Sequence, residues 1–462
     1  MTILLMNFNF SLKAPKLSEL NQKDIDDMWE LCRDLKEKLK ANPQNSSVPP
    51  STIKPFERKK PSKYQQPGMP KNPGAVIGHK GHGRSFLPIE QVHEVISCYP
   101  GAECIKCYAP VKATKFYSRK QVCDLPQGKL HITEYQLYHG RCIGCKKRYS
   151  AVLPDGVPRH LLGNSALAKI SLITGKYHLS KRFAAQLLFD FFGLKLSIGT
   201  ISNAEAKVSD ALEIPVAEIE KEVQSSQRLH ADETSFFNKH VLNWLWVAAS
   251  EKATLFKIFP KRDTESAQKL IGAFYAGVVN TDRYGAYHWI DDSQHQYCWA
   301  HIIRDFRKIS ERENPKEAYI GSVLLGQAKT IVGCWRRLKE NHKPHLHKLY
   351  RRLLAEYPER LLKMLQRGIA LVETRTAKFC QHFIKHWNCL WHFLHEPNVE
   401  PTNNTAERAL RPAVIWRKIC YGVQSERGLR FVERIFSVIE TCRQRGESAL
   451  AFIEKVLQPV AT

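Results

Sequence analysis

Between Arg228 and Phe259 the chain is a run of β-branched and aromatic residues, broken only at Asn238-Lys239 and Ser250-Glu251-Lys252. Runs of this kind bounded by short polar breaks read as strands. The pattern predicts strands over 228–237, 241–249 and 253–259, joined as an antiparallel meander. A helix is expected next over 264–275, then short strands at 277–280 and 296–298 and a helix over 300–312. Most of 316–395 reads as a long helical block. A further helix carries Glu407, and a longer one over 429–445 follows it.

Three antiparallel strands followed by helix, strand and helix outline a ribonuclease-H-like core, a mixed sheet flanked by helices. In that layout the first and fourth strands are neighbours. Asp232, in Leu-His-Ala-Asp-Glu-Thr, and Asp282, in Val-Asn-Thr-Asp-Arg-Tyr-Gly, end those two strands. They are therefore expected side by side. Adjacent carboxylates repel and need a cation or a shared proton. Two divalent ions about 4 Å apart would satisfy them, one activating an attacking oxygen and the other stabilising the leaving oxygen of a phosphodiester displacement. Glu407, in Asn-Asn-Thr-Ala-Glu-Arg-Ala-Leu-Arg-Pro, would complete the set from a late helix. Each acid has a plainer role open to it. Asp232 fits a strand end on the surface, and Asp282 suits a turn. Glu407 fits a capping box if Asn404 caps the helix, or an ion pair with Arg411 one turn on. Glu233 is a rival ligand, but strand alternation points it to the face opposite Asp232.

Charge supports the phosphodiester reading. Lys plus Arg number 70 against 45 Asp plus Glu, a formal net charge of +25. Such an excess favours a polyanion, because phosphate contacts release condensed counterions. No run approaches the roughly 18 apolar residues that span a bilayer. The first ten residues lack a basic, cleavable signal pattern, so a cytoplasmic, nucleoid-associated location is expected. The 13 cysteines, an odd number scattered over 462 residues, make a poor disulfide framework.

Upstream of the strands the chain divides further. Residues 1–40 hold a helical segment in which Ile25, Met28, Cys32, Leu35 and Leu39 form a short a/d seam, either a brief coiled coil or an ordinary amphipathic helix. Residues 41–97 form a basic linker, with eight prolines between Pro43 and Pro73. Residues 98–150 contain Cys104-x-x-Cys107 and Cys142-x-x-Cys145, the spacing of one tetrahedral, structural Zn²⁺ in a zinc-ribbon-like domain, with strand-like pieces at 113–116 and 130–138. Residues 160–215 are helical. Ser180 and Ser197 are the expected caps of two helices separated by a turn at Gly193, the outline of a helix-turn-helix. Thr200, Ser202, Asn203 and Lys207 would offer polar reach to DNA from the second of them.

Together these readings give a multidomain α+β chain with its catalytic core at 227–312 and 400–445. Residues 313–399 are a helical insertion and 446–462 a C-terminal tail. The stretch from about Leu229 to Arg434 resembles the insertion-sequence sixty-six family of DDE transposases. The matching pieces are His230-Ala-Asp-Glu-Thr, Thr281-Asp-Arg-Tyr-Gly-Ala-Tyr287, Cys298-Trp-Ala-His-Ile-Ile-Arg-Asp-Phe306 and Asn403-Asn-Thr-Ala-Glu-Arg-Ala-Leu-Arg-Pro412. The likeness extends upstream to the two Cys-x-x-Cys pairs and the helices after them. It implies a cut-and-join enzyme acting on its element's terminal inverted repeats, with Asp232, Asp282 and Glu407 as the ligands of two Mg²⁺ or Mn²⁺. It also implies DNA as partner, a homo-oligomer on DNA and small accessory proteins. Many relatives have Gly where this chain has Arg283, to which no role is assigned.

Arg304, Arg408, Arg411, Arg417 and Lys418 surround the acids and are the candidate phosphate contacts. His301 either orients water or phosphate beside them or caps its helix. Two rival readings remain: a nuclease or junction resolvase on the same fold, which would cut without joining, and a zinc-dependent DNA-binding regulator, which would not need all three acids.

Overall fold

The computed structural model describes residues 161–340, 344–372 and 374–458, together with Cys32, Leu39, 88–92, Val95, 106–110, Gln121, 130–141, Ile143, 148–154 and Val157. Apart from Cys32 and Leu39, the expected N-terminal helix lies outside the described residues, as do nearly all of the linker, the strand-like piece at 113–116, and Cys104, Cys142 and Cys145. Cys107 is described and exposed. A short antiparallel hairpin pairs β1 (His139–Arg141) with β2 (Arg148–Ser150), with His139 opposite Ser150. The strand expected over 130–138 is absent: those residues are irregular, and the strand begins only at His139. The chain divides into two compact units, Lys54–Leu130 and the rest.

Four helices lead into the sheet. In α1 (Asn164–Gly175), Leu167, Ile170 and Leu172 are buried. In α2 (Lys181–Phe192) the Ser180 hydroxyl accepts the Phe183 amide, and Gly193 ends the helix in the left-handed region at φ 68°. In α3 (Ile198–Ala211) the Ser197 hydroxyl accepts the Thr200 amide. Such caps satisfy N–H groups that a helix start leaves unpaired. The next helix is α4 (Glu213–Gln224).

The sheet contains β3 (Arg228–Asn238), β4 (Val241–Ala249), β5 (Thr254–Phe259), β6 (Val278–Thr281) and β7 (His295–Tyr297), in the order β5-β4-β3-β6-β7. The first three run antiparallel, while β6 lies parallel to β3 and β7 parallel to β6. Between β5 and β6 runs α5 (Thr264–Ile271). It stops four residues earlier than its pattern predicts because Gly272 leaves the helix at φ 97°.

Alternation along β3 sorts its side chains. Leu229, Ala231 and Glu233 point to one face, where Trp246, Leu270 and Tyr287 pack. His230, Asp232 and Thr234 point to the other, where Phe236 and Val247 meet Ala406, Ala409, Leu410 and Trp416. Those last four belong to α11 (Asn404–Cys420).

Two long helices, α7 (Pro315–Glu340) and α8 (Pro344–Ile369), form the body of the insertion. They pack with α9 (Arg375–Lys385) and the one-turn α10 (His392–His395) against Trp299, Ile302 and Phe306 of α6 (Trp299–Ser310). The insertion therefore shares a core with the helix after β7.

The outer strand β5 is covered by α12 (Glu426–Arg445). The amides of Thr254, Phe256 and Ile258 donate to Thr441 Oγ1, Ser437 Oγ and Glu433 Oε1 at 3.0, 2.9 and 2.5 Å. Four helical residues rise about 6 Å and two strand residues about 6.6 Å, so the two repeats stay in step over this length. The chain then forms a final helix, α13 (Ala449–Val456), capped by Ser448, where the pattern suggests only a tail. No helix among the described residues is long and apolar enough to cross a membrane.

Candidate active site

The β3–β6 register sets Arg228 opposite Val278 and His230 opposite Asn280. Carried on by two residues, the same offset sets Asp232 opposite Asp282, just past the end of β6; β3 does not end at Asp232, as its sequence context suggests, but continues against β4 to Asn238. Asp232 Oδ1 accepts the Glu233 amide at 2.8 Å, and Asp282 Oδ1 accepts the Tyr284 amide at 2.9 Å. These short local bonds fix both carboxyl groups and leave the second oxygen of each for other partners. The Asp-Arg-Tyr turn is real, but it orients Asp282 rather than exposing it.

Glu407 arrives on the first turn of α11, above the Asp232 face. Its capping-box role is not realised. The N-cap position is Asn403, whose side chain makes no cap, and the Glu407 amide bonds within the helix to the Asn403 carbonyl at 3.2 Å. Glu407 Oε1 is buried without a hydrogen-bond partner, and so is His301 Nδ1, 3.9 Å away. Arg304 Nη2 also lies 3.9 Å from Glu407 Oε1. Glu407 keeps 38% of its side-chain surface open.

The three acids act on one another. Burial, then Glu233 and Asp282, hold the Asp232 carboxyl well above the usual range. Burial raises Asp282, against the pull of the Tyr284 amide and two arginines. Burial raises Glu407 as well, with Arg304 opposing and the Asp282 charge adding to it. Removal from water together with like-charge crowding disfavours three bare anions. Burial and the neighbouring arginines push His301 down to about 3, so it is a neutral imidazole at physiological pH.

Glu233 is held on the opposite face. Arg262 pairs with it at 2.5 Å, and the Tyr287 hydroxyl donates to its other oxygen at 2.5 Å. Arg262 is itself stacked on Tyr284, 3.7 Å from the ring centroid. The second acid of the Asp-Glu pair is therefore already neutralised.

Several residues that the sequence did not single out position the acids. Asn403 Nδ2 donates to the Ala231 carbonyl, and its Oδ1 lies 3.2 Å from His230 Nδ1. The Asn403 amide donates to the buried Cys298 Sγ at 3.1 Å. Asn280 Nδ2 donates to the carbonyls of Glu400 and Thr402 at 2.6 and 3.3 Å. The available signal was polar residues inside an apolar strand (Val-Val-Asn-Thr) and a doubled asparagine before a helix. Arg283 donates to Asp305 at 2.5 Å and stacks on Phe379 and Phe383 of α9, joining the Asp282 turn to the insertion.

The expected DNA contacts separate into two groups. Arg408, Arg411 and Lys418 are exposed along α11, and Arg304 is half-buried beside Glu407. Arg417 instead turns inward and donates to Thr234 Oγ1 at 3.1 Å and to Ser235 Oγ and its carbonyl. It binds β3 to α11 and is not a free phosphate contact. On α3, Asn203 and Lys207 are exposed. Thr200 hydrogen-bonds the capping Ser197, while Ser202 accepts from Lys181, which also pairs with Glu205 at 2.8 Å.

The donor set suits a hard cation. Carboxylate oxygens are the ligands Mg²⁺ and Mn²⁺ take. Two enclosed polar atoms that face each other without bonding, Glu407 Oε1 and His301 Nδ1, leave the interaction an ion or its water would complete. Cys298, also near these atoms, is fully buried with its thiol pushed up to about 11, and its sulfur already accepts the Asn403 amide.

The model of one protein family, described as "Transposase IS66 family", matches residues 159–430, more than half of the chain. Two curated relatives come from Sinorhizobium fredii. The uncharacterized protein y4hP is 24% identical over 364 residues, covering 69% of this chain and 63% of its own length. The uncharacterized protein y4qI is 21% identical over 302 residues, covering 58% of this chain and 54% of its own. The chain thus spans less than two thirds of the length of these relatives.

Proposed function

Since the chain belongs to the IS66 family of transposases, we propose that it cuts and rejoins DNA at the terminal inverted repeats of an insertion sequence, through a ribonuclease-H-like core. The observation that carries this is the convergence of Asp232, Asp282 and Glu407 where β6 ends beside β3, with burial raising all three carboxyl groups.

Asp232, Asp282 and Glu407 would hold two Mg²⁺ or Mn²⁺ ions, which when bound lower the pKa of the attacking oxygen and stabilise the leaving one. The chain's own residues do the rest. Asn403 and Asn280 hold the Glu407 segment against both strands. Arg304 sits where it reaches a phosphate beside Glu407 while balancing its charge. His301, neutral, accepts or donates one hydrogen bond to a water or phosphate oxygen without adding charge. Arg408, Arg411 and Lys418 extend the positive surface along α11 for the backbone of bound DNA.

Recognition of the repeats is assigned to α2 and α3, with Asn203 and Lys207 as the exposed reach, and to a zinc ribbon built on Cys104, Cys107, Cys142 and Cys145. Partners of the same element and more than one copy on the DNA fit a reaction that must join two ends. The test is to incubate the full chain with linear DNA carrying the repeats that flank its coding region. Cuts at the repeat ends, and joined products with Mg²⁺ but not with EDTA, are expected. Cutting without joining would mark a nuclease, and repeat binding without cutting a regulator.

A further inference from the structure

A second cluster of metal-ligand chemistry lies away from the three acids, where the insertion meets the sheet. Asp292 is in the loop between β6 and β7. His382 lies in the last turn of α9 and His386, four residues on, caps its C-terminal end, its amide donating to the His382 carbonyl; Cys389 follows three residues later in the short turn Asn388–Leu390. The chain spells His-x-x-x-His-x-x-Cys. Two ligands at i and i+4 present to one side of a helix, the spacing used by helical zinc sites.

The positions are close enough to share an ion. The ligand atoms of Asp292, His386 and Cys389 all lie within 4.8 Å of one another. His386 Nδ1 is 2.9 and 3.1 Å from the two Asp292 oxygens. Ligands on one tetrahedral Zn²⁺ with bonds near 2.0 Å stand about 3.3 Å apart, so a small relaxation suffices. The His382 ring is 4.7 Å from that of His386, and its Nε2 is buried with no partner. His288 flanks both, with ring centroids 6.1 Å from His382 and 6.4 Å from His386. The Asp292 loop is further held by His392, whose Nε2 is 2.8 Å from the Asp292 carbonyl. Imidazole, thiolate and carboxylate together suit Zn²⁺ and not Mg²⁺ or Ca²⁺.

We propose that Asp292, His382, His386 and Cys389 form a Zn²⁺ site that fastens the helical insertion to the loop between β6 and β7. Asp292, His386 and Cys389 are in place, and His382 completes the tetrahedron by rotating its ring. The site uses none of the four Cys-x-x-Cys cysteines and none of the three acids, so it stands or falls independently of the transposase reading. A closed set of four protein ligands is a structural site, and its binding energy adds directly to the stability of the joint.

The test compares zinc content. The full chain and its Cys389→Ser and His386→Ala variants are saturated with zinc chloride, desalted and measured by mass spectrometry of the metal. Each variant is expected to hold one equivalent less than the unaltered chain, whatever the occupancy of the Cys-x-x-Cys pairs. His382→Ala should weaken zinc retention against a competing chelator at least about tenfold. Equal zinc in the unaltered chain and both variants overturns the proposal. If the variants do not fold, crystals of the unaltered chain soaked in zinc chloride decide it. An anomalous peak among Asp292, His386 and Cys389 is expected, and its absence rejects the site.

Discussion

Asn403 Nδ2 donates a 2.7 Å hydrogen bond to the carbonyl of Ala231, the residue immediately before Asp232. Through this bond the start of the helix bearing Glu407 is fixed to the strand bearing Asp232, although the two lie far apart in sequence. The neighbouring segment is held the same way, by Asn280 on Glu400 and Thr402 and by the Trp299 amide on the Pro401 carbonyl at 2.7 Å. Asn403→Ala should therefore lower the rate of strand cleavage by about 10- to 100-fold, since displacements near 1 Å are that costly to a preorganised site. Binding to repeat DNA, read by gel shift, should change little. Unchanged cleavage would mean that Glu407 is placed by other contacts.

Asp232→Asn, Asp282→Asn and Glu407→Gln should each reduce cleavage by at least about 10²-fold, since a bound metal supplies several kcal/mol of charge stabilisation. Repeat binding should persist. A Glu407→Gln protein that cuts at the normal rate would return Glu407 to a purely structural role.

Those substitutions should also stabilise the metal-free protein. The Asp232 pKa is raised on folding from 3.8. An acid raised in this way binds more protons folded than unfolded. Its contribution to stability is present below 3.8 and is lost as pH rises toward the folded value. At pH 7 the unfolded chain ionises this group freely, whereas folding must bury the charge or take up a proton, a cost that the amide removes. In EDTA, Asp232→Asn should melt above the unaltered chain. Added Mg²⁺ should raise the melting temperature of the unaltered chain more than that of the variant. A lower melting point for Asp232→Asn in EDTA would contradict the crowding of charge at the site.

His295 gives an acid limit to stability. It is fully buried, with Nε2 2.7 Å from Thr281 Oγ1, and burial lowers its pKa from 6.5 to about 3. Between those values the unfolded chain binds the extra proton, so stability is full above pH 6.5 and falls as pH drops toward 3. The slope from this one group is at most about 1.4 kcal/mol per pH unit. His295→Gln should flatten the pH dependence of the urea midpoint below pH 6. An unaltered slope would place the acid sensitivity in other groups.

Arg262→Leu should destabilise the fold by about 3 kcal/mol, because it leaves Glu233 buried without its cation. The double change Arg262→Leu, Glu233→Leu should recover most of that loss. Chemical denaturation of the three variants measures the coupling. Simple additivity would show that the 2.5 Å pair contributes nothing.

The strands of the five-stranded sheet were legible because period-two alternation and polar breaks report local structure directly, whereas the one expected over 130–138 did not form. β4 begins and ends where its pattern does, and β3 and β5 differ by one residue at an end. The serine caps of α2 and α3 were legible for the same reason. The final helix was missed because eight residues after Ser448 carry too short a pattern to distinguish from a tail. The structural roles of Asn403 and Arg417 were not legible. Their partners, Ala231 and Ser235, sit on a strand more than 170 residues earlier, and no local pattern encodes such a contact. Doubled asparagines also invite the wrong cap, since tertiary bonding and not helix chemistry selects Asn403.

The ladder of Glu433, Ser437 and Thr441 on the amides of β5 shuts one route by which another chain could join the sheet. An outer strand normally offers its free amides as a template on which another chain can extend the sheet. Here the template is already occupied by the protein's own helix, at every second residue from Thr254 to Ile258. β-augmentation is closed at this edge, both to a sister copy and to a misfolded neighbour.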